Sequence, residues 1–375
     1  MASPSPKQKH FYWLDWFRFL AAFEVVAYHV RGHTWTHYDQ LQAGSKDWLT
    51  WIFFVVTHWG GEAVVLFFVL SGFLVGGKVL QRTFDRSFDL EAYALDRMTR
   101  IYLPLVPALL VSGVIGCGFL GQRFSLFDLV GNLAGLQSIC CHAYAGNLPL
   151  WTLAYEMWFY VLGGLVAILI SGKSFAKAIS LCGIMFVFAL FTRLDASLLF
   201  CWCLGALGYF LALADDVPPL VFPGGLALAG FGLTFFEYIS AHQSSFGNFL
   251  SSGRVADLIF SLGLAITFAF VSRRVPVSKP AQWLEKAGAR LAAFSYTLYL
   301  THFPFVSLWT KFRPEKSSAL DLHSFSWFIL ECAACLLFAF IVYLPFEAQT
   351  ARVRGWLKRA GLLRSKGVEA NRING

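Results

Sequence analysis

Four ionisable side chains occur within an otherwise apolar stretch between residues 11 and 30, which reads FYWLDWFRFLAAFEVVAYHV. They are Asp15, Arg18, Glu24 and His29. A charged side chain near the centre of a membrane helix costs about 2.5–3.5 kcal/mol on insertion scales, so such groups persist mainly where they face partners or a wet cavity. The stretch is therefore a candidate functional site within the membrane.

The spacing of Arg18 and His29 places them on one face of a helix. They are eleven residues apart, which is three helical turns plus about 20°, or about 16 Å along the axis. Histidine can act near neutral pH as a general base or as a nucleophile, so His29 is either a reactive group or an ordinary interfacial histidine. Arg18 could bind an anion or stabilise an oxyanion. It could also form an ion pair with Asp15, three residues earlier.

Arg97 and Arg100 lie three residues apart, just before the third apolar run. This spacing puts both guanidinium groups on one helical face. Paired guanidiniums bind phosphate oxygens in a bidentate manner, but arginines at the cytoplasmic end of a membrane helix are also ordinary topological anchors. The spacing alone favours the anchoring interpretation.

Further candidates lie in two aromatic segments, WTLAYEMWFYV and SYTLYLTHFP. Glu156 could orient His29 or position a substrate, or it could only accept hydrogen bonds from neighbouring Tyr or Trp. Trp151 and Tyr155 could stack on a sugar ring, although interface belts use the same residue types. His302 faces a helical core by its spacing, and a structural role is the simpler interpretation.

The composition indicates a membrane protein. Of the 375 residues, 57% are hydrophobic and 14% are charged, whereas soluble domains carry about 25% charged residues. Ten apolar runs approach the length of about 20 residues that a membrane-spanning helix needs. We therefore predict an all-α polytopic protein of about ten transmembrane helices. The predicted spans are 11–30, 51–77, 101–121, 151–172, 174–192, 196–214, 217–236, 254–272, 291–310 and 325–346.

The distribution of Lys and Arg predicts the orientation. With both termini cytoplasmic, the inner segments hold 21 of the 30 Lys and Arg residues and the outer segments hold 8, while Arg18 lies within a span. This bias agrees with the positive-inside rule. The net charge of +8 then belongs mostly to the inner face, where anionic membrane lipid is the expected partner. It is no argument for nucleic acid.

The chain divides into a polar N-terminal segment (1–10), a transmembrane domain (11–347) and a basic cytoplasmic tail (348–375). No internal repeat is evident, which weakens the interpretation as a transporter. The eight cysteines have no metal-ligand spacing, and we predict no metal site. Cys140 and Cys141 fall in a predicted outer loop, where an oxidising compartment leaves their redox state open.

Five motifs, taken in order, resemble the acyltransferase-3 family of integral membrane O-acyltransferases. The resemblance covers about residues 11 to 347. The motifs are LDWFRFLAAFEVVAYHV, AVVLFFVLSGFLVGG, RMTRIYLP, WTLAYEMWFYV and SYTLYLTHFP.

The resemblance implies transfer of an acyl group, usually acetyl from cytoplasmic acetyl-CoA, to a hydroxyl of a sugar or other acceptor, often a lipid-linked or cell-surface glycan. It implies the plasma membrane, in bacteria the inner membrane. Arg18 and His29 match the family's functional pair, and Arg97 and Arg100 match its Arg-x-x-Arg motif. In the commoner family pattern a second acidic residue follows Glu156, whereas Met stands there in this chain.

We therefore expect His29, Arg18 and Glu156 to be catalytic, with His29 as base or acyl carrier. Acyl-CoA is expected as a co-substrate, with no permanently bound cofactor. Its nucleotide would bind the Arg-x-x-Arg pair, and its pantetheine arm would reach between the helices to His29. Arg97 and Arg100 are the expected acyl-CoA ligands, and the possible acceptor-binding residues are Trp151, Tyr155 and His302.

The rival hypothesis is a carrier or flippase, in which the intramembrane charges form a substrate or proton path. Residues alone do not distinguish acetyl from succinyl or longer donors. They also leave open direct transfer against an acyl-histidine intermediate, the identity of the acceptor and the oligomeric state.

Overall fold

Helices make up the regular structure of the residues that the computed structural model describes, which are 11–214, 217–241, 253–274 and 278–360. The predicted polar segment 1–10 and the last part of the predicted tail, 361–375, lie outside the described residues. The helices are α1 (Tyr12–Thr34), α2 (Trp48–Val56), α3 (Gly60–Ser71), α4 (Gly77–Phe84), α5 (Leu90–Gly113), α6 (Leu126–Leu133), α7 (Trp151–Ser171), α8 (Ser174–Phe191), α9 (Ser197–Leu213), α10 (Val221–Ala241), α11 (Arg254–Val271), α12 (Lys279–Ala293), α13 (Ser295–Trp309), α14 (Leu322–Tyr343) and α15 (Thr350–Arg359).

Seven helical segments among the described residues are long and apolar enough to cross a membrane. Each overlaps one of the predicted spans, and together they confirm an all-helical, multi-pass membrane protein. The segments are Trp48–Phe84, Leu90–Phe119, Leu148–Ser171, Ser174–Phe191, Val221–Ile239, Arg254–Val271 and Leu322–Arg359.

The remaining three predicted spans differ from these seven in length or charge. Helix α9 is apolar but has only 17 residues, and α1 is long enough but carries several charged groups. The predicted span 291–310 is interrupted at Phe294, where the backbone leaves helical geometry and α13 begins with only 15 residues. The count of ten and the cytoplasmic placement of the termini therefore stay predictions.

Helix α1 lies between two apolar clusters and packs against α3, α12, α13 and α14. Ala21 and Val25 belong to one cluster, whereas the adjacent Ala22 and Val26 belong to the other. A helix that buries apolar side chains on opposite sides is an internal helix. This position explains how the chain can hold the ionisable groups of α1 away from lipid.

Helix α3 and the turn that continues it cross α9 at backbone contact distance. A Cβ atom at Gly72 would lie 1.9 Å from the carbonyl oxygen of Trp202, and one at Gly205 would lie 2.1 Å from the carbonyl oxygen of Val69. Small residues permit such crossings in membrane helices. In the same place the helix takes a π-helical turn, Gly72–Gly76.

We predict that Gly72→Ala lowers the free energy of unfolding by about 1–3 kcal/mol, the usual cost of overpacking, because the new methyl group meets a backbone atom that cannot move alone. The matched control is Gly61→Ala, since a Cβ there meets open space. Thermal unfolding midpoints of the purified variants in detergent provide the measurement. Equal midpoints for the two variants would contradict the close crossing.

Candidate functional site

A cavity of about 530 Å³ opens between α1, α3, α5, α7 and α13, and we call it the arginine cavity. Its volume falls within the range of about 300–1,000 Å³ that ligand pockets occupy. Four cations and two carboxylates lie among its lining residues, so its wall favours an anionic ligand. These charged residues are Asp15, Arg18, Lys78, Arg97, Arg100 and Glu156.

Arg18 and Lys78 enter the arginine cavity from different helices. Arg18 forms an ion pair with Asp15, with the guanidinium nitrogen 3.1 Å from the carboxylate oxygen, as the three-residue spacing predicted. The Lys78 ammonium lies 5.2 Å from the centre of the Phe11 ring, a cation–π arrangement. Sequence reasoning did not single out Lys78, because a lysine after an apolar run looks like a membrane anchor.

Arg97 and Arg100 project from α5 into the same cavity. The Arg97 guanidinium pairs with Asp96 and lies 5.1 Å from the centre of the Tyr160 ring. The Arg100 guanidinium lies 5.2 Å from the centre of the Tyr296 ring. Both guanidiniums thus lie over aromatic rings, and both arginines line the cavity.

The helix that carries these arginines begins before the predicted span. We predicted a span from 101 to 121, which would leave both at its boundary. The helical segment that contains this span begins earlier, at Leu90, and extends to Phe119, and Asp89 caps its start by accepting the backbone N–H of Ala92 at 3.1 Å. Arg97 and Arg100 therefore lie two to three turns after the start of α5, at the boundary of the predicted span, and their side chains line the arginine cavity.

Glu156 contacts tyrosines and not histidines. The Tyr160 hydroxyl donates to its carboxylate at 2.6 Å, and the Tyr296 hydroxyl donates at 3.2 Å. The guanidiniums of Arg97 and Arg100 lie over the rings of these same two tyrosines. Glu156 therefore helps to build the wall of the arginine cavity, and the hypothesis that it orients His29 has no contact to support it.

His29 is paired with His302 across α1 and α13. Nδ1 of His29 lies 3.1 Å from Nε2 of His302 and 2.9 Å from the carbonyl oxygen of Val25. His302 is fully buried, and its own Nδ1 lies 2.7 Å from the carbonyl oxygen of Tyr299. The sequence placed His302 in a core and did not reveal that it contacts His29.

These contacts assign the protons of the pair. A carbonyl oxygen only accepts, so Nδ1 of His302 donates to Tyr299, and in the neutral ring its Nε2 is an acceptor. Nδ1 of His29 faces that acceptor and the Val25 carbonyl, so it carries the hydrogen. Nε2 of His29 therefore holds the free lone pair, which is the form that a base or nucleophile requires.

His29 lines a second cavity of about 300 Å³, which we call the histidine cavity, together with His33, His37 and the loop residue Lys316. It does not line the arginine cavity. Tyr299 lines the arginine cavity and packs against His302 with 5.9 Å between the ring centres. The two cavities thus lie on opposite sides of a layer formed by Tyr299 and His302, and the expected continuous passage to His29 is interrupted there.

Trp151 and Tyr155 line neither cavity. The Tyr155 ring is buried in the larger apolar cluster, and its hydroxyl accepts the backbone N–H of Asp195 at 2.8 Å. Trp151 packs edge-on against it, with 5.5 Å between the ring centres. Both residues therefore support the structure around α7, and the structure gives no support to the predicted acceptor-binding role.

Comparison with protein families gives a match to the acyltransferase domain model over residues 11–344. The chain belongs to the acyltransferase-3 family. Comparisons with curated proteins and with solved structures gave no match. The family assignment makes the chain a membrane acyltransferase, and it agrees with the resemblance of the five sequence motifs.

Glu347 lies just beyond the matched range of the acyltransferase and is tied to the arginine cavity. Its buried carboxylate accepts from the Arg100 guanidinium at 2.6 Å and from the Thr297 hydroxyl at 2.6 Å. One carboxylate thereby joins α5, α13 and the segment before α15. The sequence showed only an acidic residue after the last span, and no spacing rule pairs it with an arginine 247 positions earlier.

The acyltransferase keeps its thiols free. Cys140 and Cys141 in the loop before α7 are unpaired, and Cys332 and Cys335 are buried within α14. Among the described residues, no group of three or more His, Cys, Asp or Glu side chains is arranged to hold a metal ion.

We predict that Glu347→Gln lowers the free energy of unfolding by about 1.5–3 kcal/mol, the usual value for a hydrogen bond to a charged group. Its amide can still accept from Thr297, so the loss reports mainly the bond to Arg100, whose side chain is 30% exposed. Glu315→Gln, at an exposed position, is the control. Denaturation in detergent gives the unfolding midpoint of each variant. An unchanged midpoint for Glu347→Gln would rule out a stabilising ion pair between Glu347 and Arg100.

Proposed function

We propose that the acyltransferase moves an acyl group, most simply acetyl, from cytoplasmic acyl-CoA to a hydroxyl of a sugar or cell-surface glycan in the plasma membrane. The observation that carries this proposal is the arrangement of the two cavities. A cation-lined cavity of suitable size lies on one side of the paired histidines, and a second cavity that exposes His29 lies on the other.

The charges of the arginine cavity suit the phosphates of coenzyme A. Arg97 offers a buried Nε–H that has no hydrogen-bond partner among the described residues, and a buried donor left without a partner costs about 1–3 kcal/mol. A phosphate oxygen would satisfy it with a charge-assisted bond. Arg18, eleven residues and about 16 Å from His29 along α1, is too far to contact the same reacting atom, so donor binding is its best role.

The chemistry assigned to His29 is proton transfer. Nε2 of His29 removes the proton of the acceptor hydroxyl as the hydroxyl oxygen attacks the thioester carbonyl. The tetrahedral intermediate then expels the thiolate of coenzyme A, which takes the proton from the imidazolium. In the alternative route, Nε2 itself attacks the thioester carbonyl, the C–S bond breaks, and coenzyme A leaves as a thiolate from an N-acylated, positively charged imidazole. The acceptor hydroxyl then attacks this acyl group, its proton passes to the thiolate, and the neutral imidazole is released.

His302 serves both routes as a positioning residue. Its Nε2 accepts the Nδ1–H of His29, which fixes the reactive tautomer and disperses the positive charge that forms on His29. Because His302 is fully buried and held by the Tyr299 carbonyl, its ring cannot reorient freely. It is not expected to touch the acceptor.

Tyr299 stands between the donor site and the base. Its hydroxyl lies 3.1 Å from the Thr152 hydroxyl and 3.2 Å from the carbonyl oxygen of Pro149, and its ring lies 5.7 Å from that of Phe67. The thioester must pass this group to reach His29. Movement of the Tyr299 side chain is therefore a requirement of the proposed reaction.

We predict that His29→Ala lowers kcat by at least about 10²-fold, the usual contribution of a general base. Purified protein is mixed with acetyl-CoA and acceptor sugars, and release of free coenzyme A is followed with a thiol reagent. His142→Ala is the control, because that side chain is 97% exposed. Normal turnover by His29→Ala would remove the proposed base, and no release by the wild type would favour the carrier hypothesis.

We also predict that Arg97→Gln weakens binding of coenzyme A by about tenfold, as expected for loss of one charge-assisted contact of about 1.4 kcal/mol or more. Arg97 is preferred over Arg100 for this test, because removing Arg100 would leave the buried Glu347 without its ion pair. Titration of purified protein with coenzyme A measures the dissociation constant. The exposed Arg123→Gln is the matched control, and equal affinities in both variants would argue against phosphate binding at Arg97.

A further inference from the structure

We propose that the acceptor carries an oxyanion, a carboxylate or a phosphate, close to the hydroxyl that is acylated, and that Arg31 and Lys316 bind this group in the histidine cavity. The inference rests on the proposed function, since it assigns the substrate class for the reaction at His29. It concerns residues outside the family motifs described above.

Arg31 is the central observation. It follows His29 by two residues on α1 and lines the same cavity. Its guanidinium carbon lies 5.5 Å from the Tyr28 ring centre and 5.1 Å from the Phe54 ring centre. Its Nε–H is buried without a hydrogen-bond partner among the described residues. A cation held between two rings with an unused buried donor is prepared for an anionic ligand.

Carboxylates in the described part of the chain do not take this role. No Asp or Glu appears among the residues that line the histidine cavity. Glu24 attracts Arg31 electrostatically, but its carboxylate accepts the backbone N–H of Trp59 at 3.2 Å and forms no ion pair with Arg31. Glu331 is buried and pairs with His33 at 3.2 Å. Arg31 therefore has no carboxylate in ion-pair contact among the described residues, and no carboxylate lines the cavity beside it.

Lys316 adds a second cation from the loop between α13 and α14. Its ammonium donates to the carbonyl oxygen of Gly32 at 2.6 Å, and two of its three N–H donors remain. The loop is fastened to the end of α1, because Ser317 donates its N–H to the Thr34 carbonyl at 2.9 Å and accepts from the N–H of Thr36 at 3.1 Å. These hydrogen bonds hold Lys316 beside the cavity.

The distance to the base limits where the anion can sit on the acceptor. The Tyr28 ring that carries Arg31 also meets the His29 ring edge-on, with 5.3 Å between the ring centres. The Arg31 guanidinium and the His29 ring are therefore no farther apart than the sum of their two distances to the Tyr28 ring centre. An oxyanion on Arg31 and a hydroxyl at His29 fit on one acidic sugar or on two adjacent residues of an acidic glycan.

The simpler explanation of Arg31 is a cation that stabilises the C-terminal end of α1 through the helix dipole. That role predicts an effect on stability but no discrimination between ligands. The two explanations are therefore separated by comparing acidic with neutral acceptors, and not by stability measurements.

The experiment uses the full chain in detergent with glucuronate, glucose 6-phosphate and glucose as probes. We expect at least one anionic probe to bind about tenfold more tightly than glucose, the least expected from a bond to a charged group. The preference should weaken with added salt. Comparison of glucuronate with glucose 6-phosphate identifies whether the site binds a carboxylate or a phosphate.

Two substitutions test whether Arg31 and Lys316 cause the preference for acidic acceptors. Arg31→Gln should remove most of the preference, measured as the ratio of acidic to neutral affinity and of kcat/KM, whereas the exposed Arg193→Gln should retain it. If Arg31→Gln does not fold, the exposed Lys316→Gln must lower the same ratio.

Two outcomes would overturn the inference. One is equal binding of glucose and both acids by the wild type, and the other is a preference that survives both substitutions. Binding is measured without acyl-CoA, so a failure of the proposed acyl transfer, seen as no release of coenzyme A with any acceptor, is distinguished from a failure of the anion site.

Discussion

An ionisable group inside a membrane must find its polar partner within the protein, because lipid offers none. Helix α1, which we predict to span the membrane, meets this constraint at three positions. Arg18 pairs with Asp15, Glu24 accepts the N–H of Trp59, and His29 contacts His302. Each partner fixes the side chain that it satisfies, so the same bonds that make burial of α1 tolerable also orient the groups that can do chemistry.

The separation of the two cavities follows from this arrangement. Arg18 and His29 lie on one helix but line different cavities, and the layer of His302 and Tyr299 lies between them. The Tyr299 and His302 rings of this layer pack with 5.9 Å between their centres. In the proposed reaction the layer confines transfer to moments when the thioester has passed Tyr299, which would limit hydrolysis of acyl-CoA.

Contacts between distant helices stabilise the walls of the arginine cavity. Glu347 joins α5 to the N-terminal turn of α13 through Arg100 and Thr297. Beyond it, Arg354 on α15 donates to the Thr99 hydroxyl at 2.7 Å, so the beginning of the predicted basic tail packs against α5. The close crossing at Gly72 and Gly205 secures α3 from the other side. The helices that line the arginine cavity are therefore held by α15, near the end of the described chain, and by α9.

The apolar runs and the five motifs of the sequence by themselves determined a multi-pass helical acyltransferase, since hydropathy and local spacing are properties of consecutive residues. The ion pair of Asp15 and Arg18 was predictable for the same reason. Only the tertiary structure decided that His302 is the partner of His29, that Glu347 holds Arg100, and that Trp151 and Tyr155 support the core. These contacts join residues far apart in the chain, and their formation depends on how helices pack, which local periodicity does not specify.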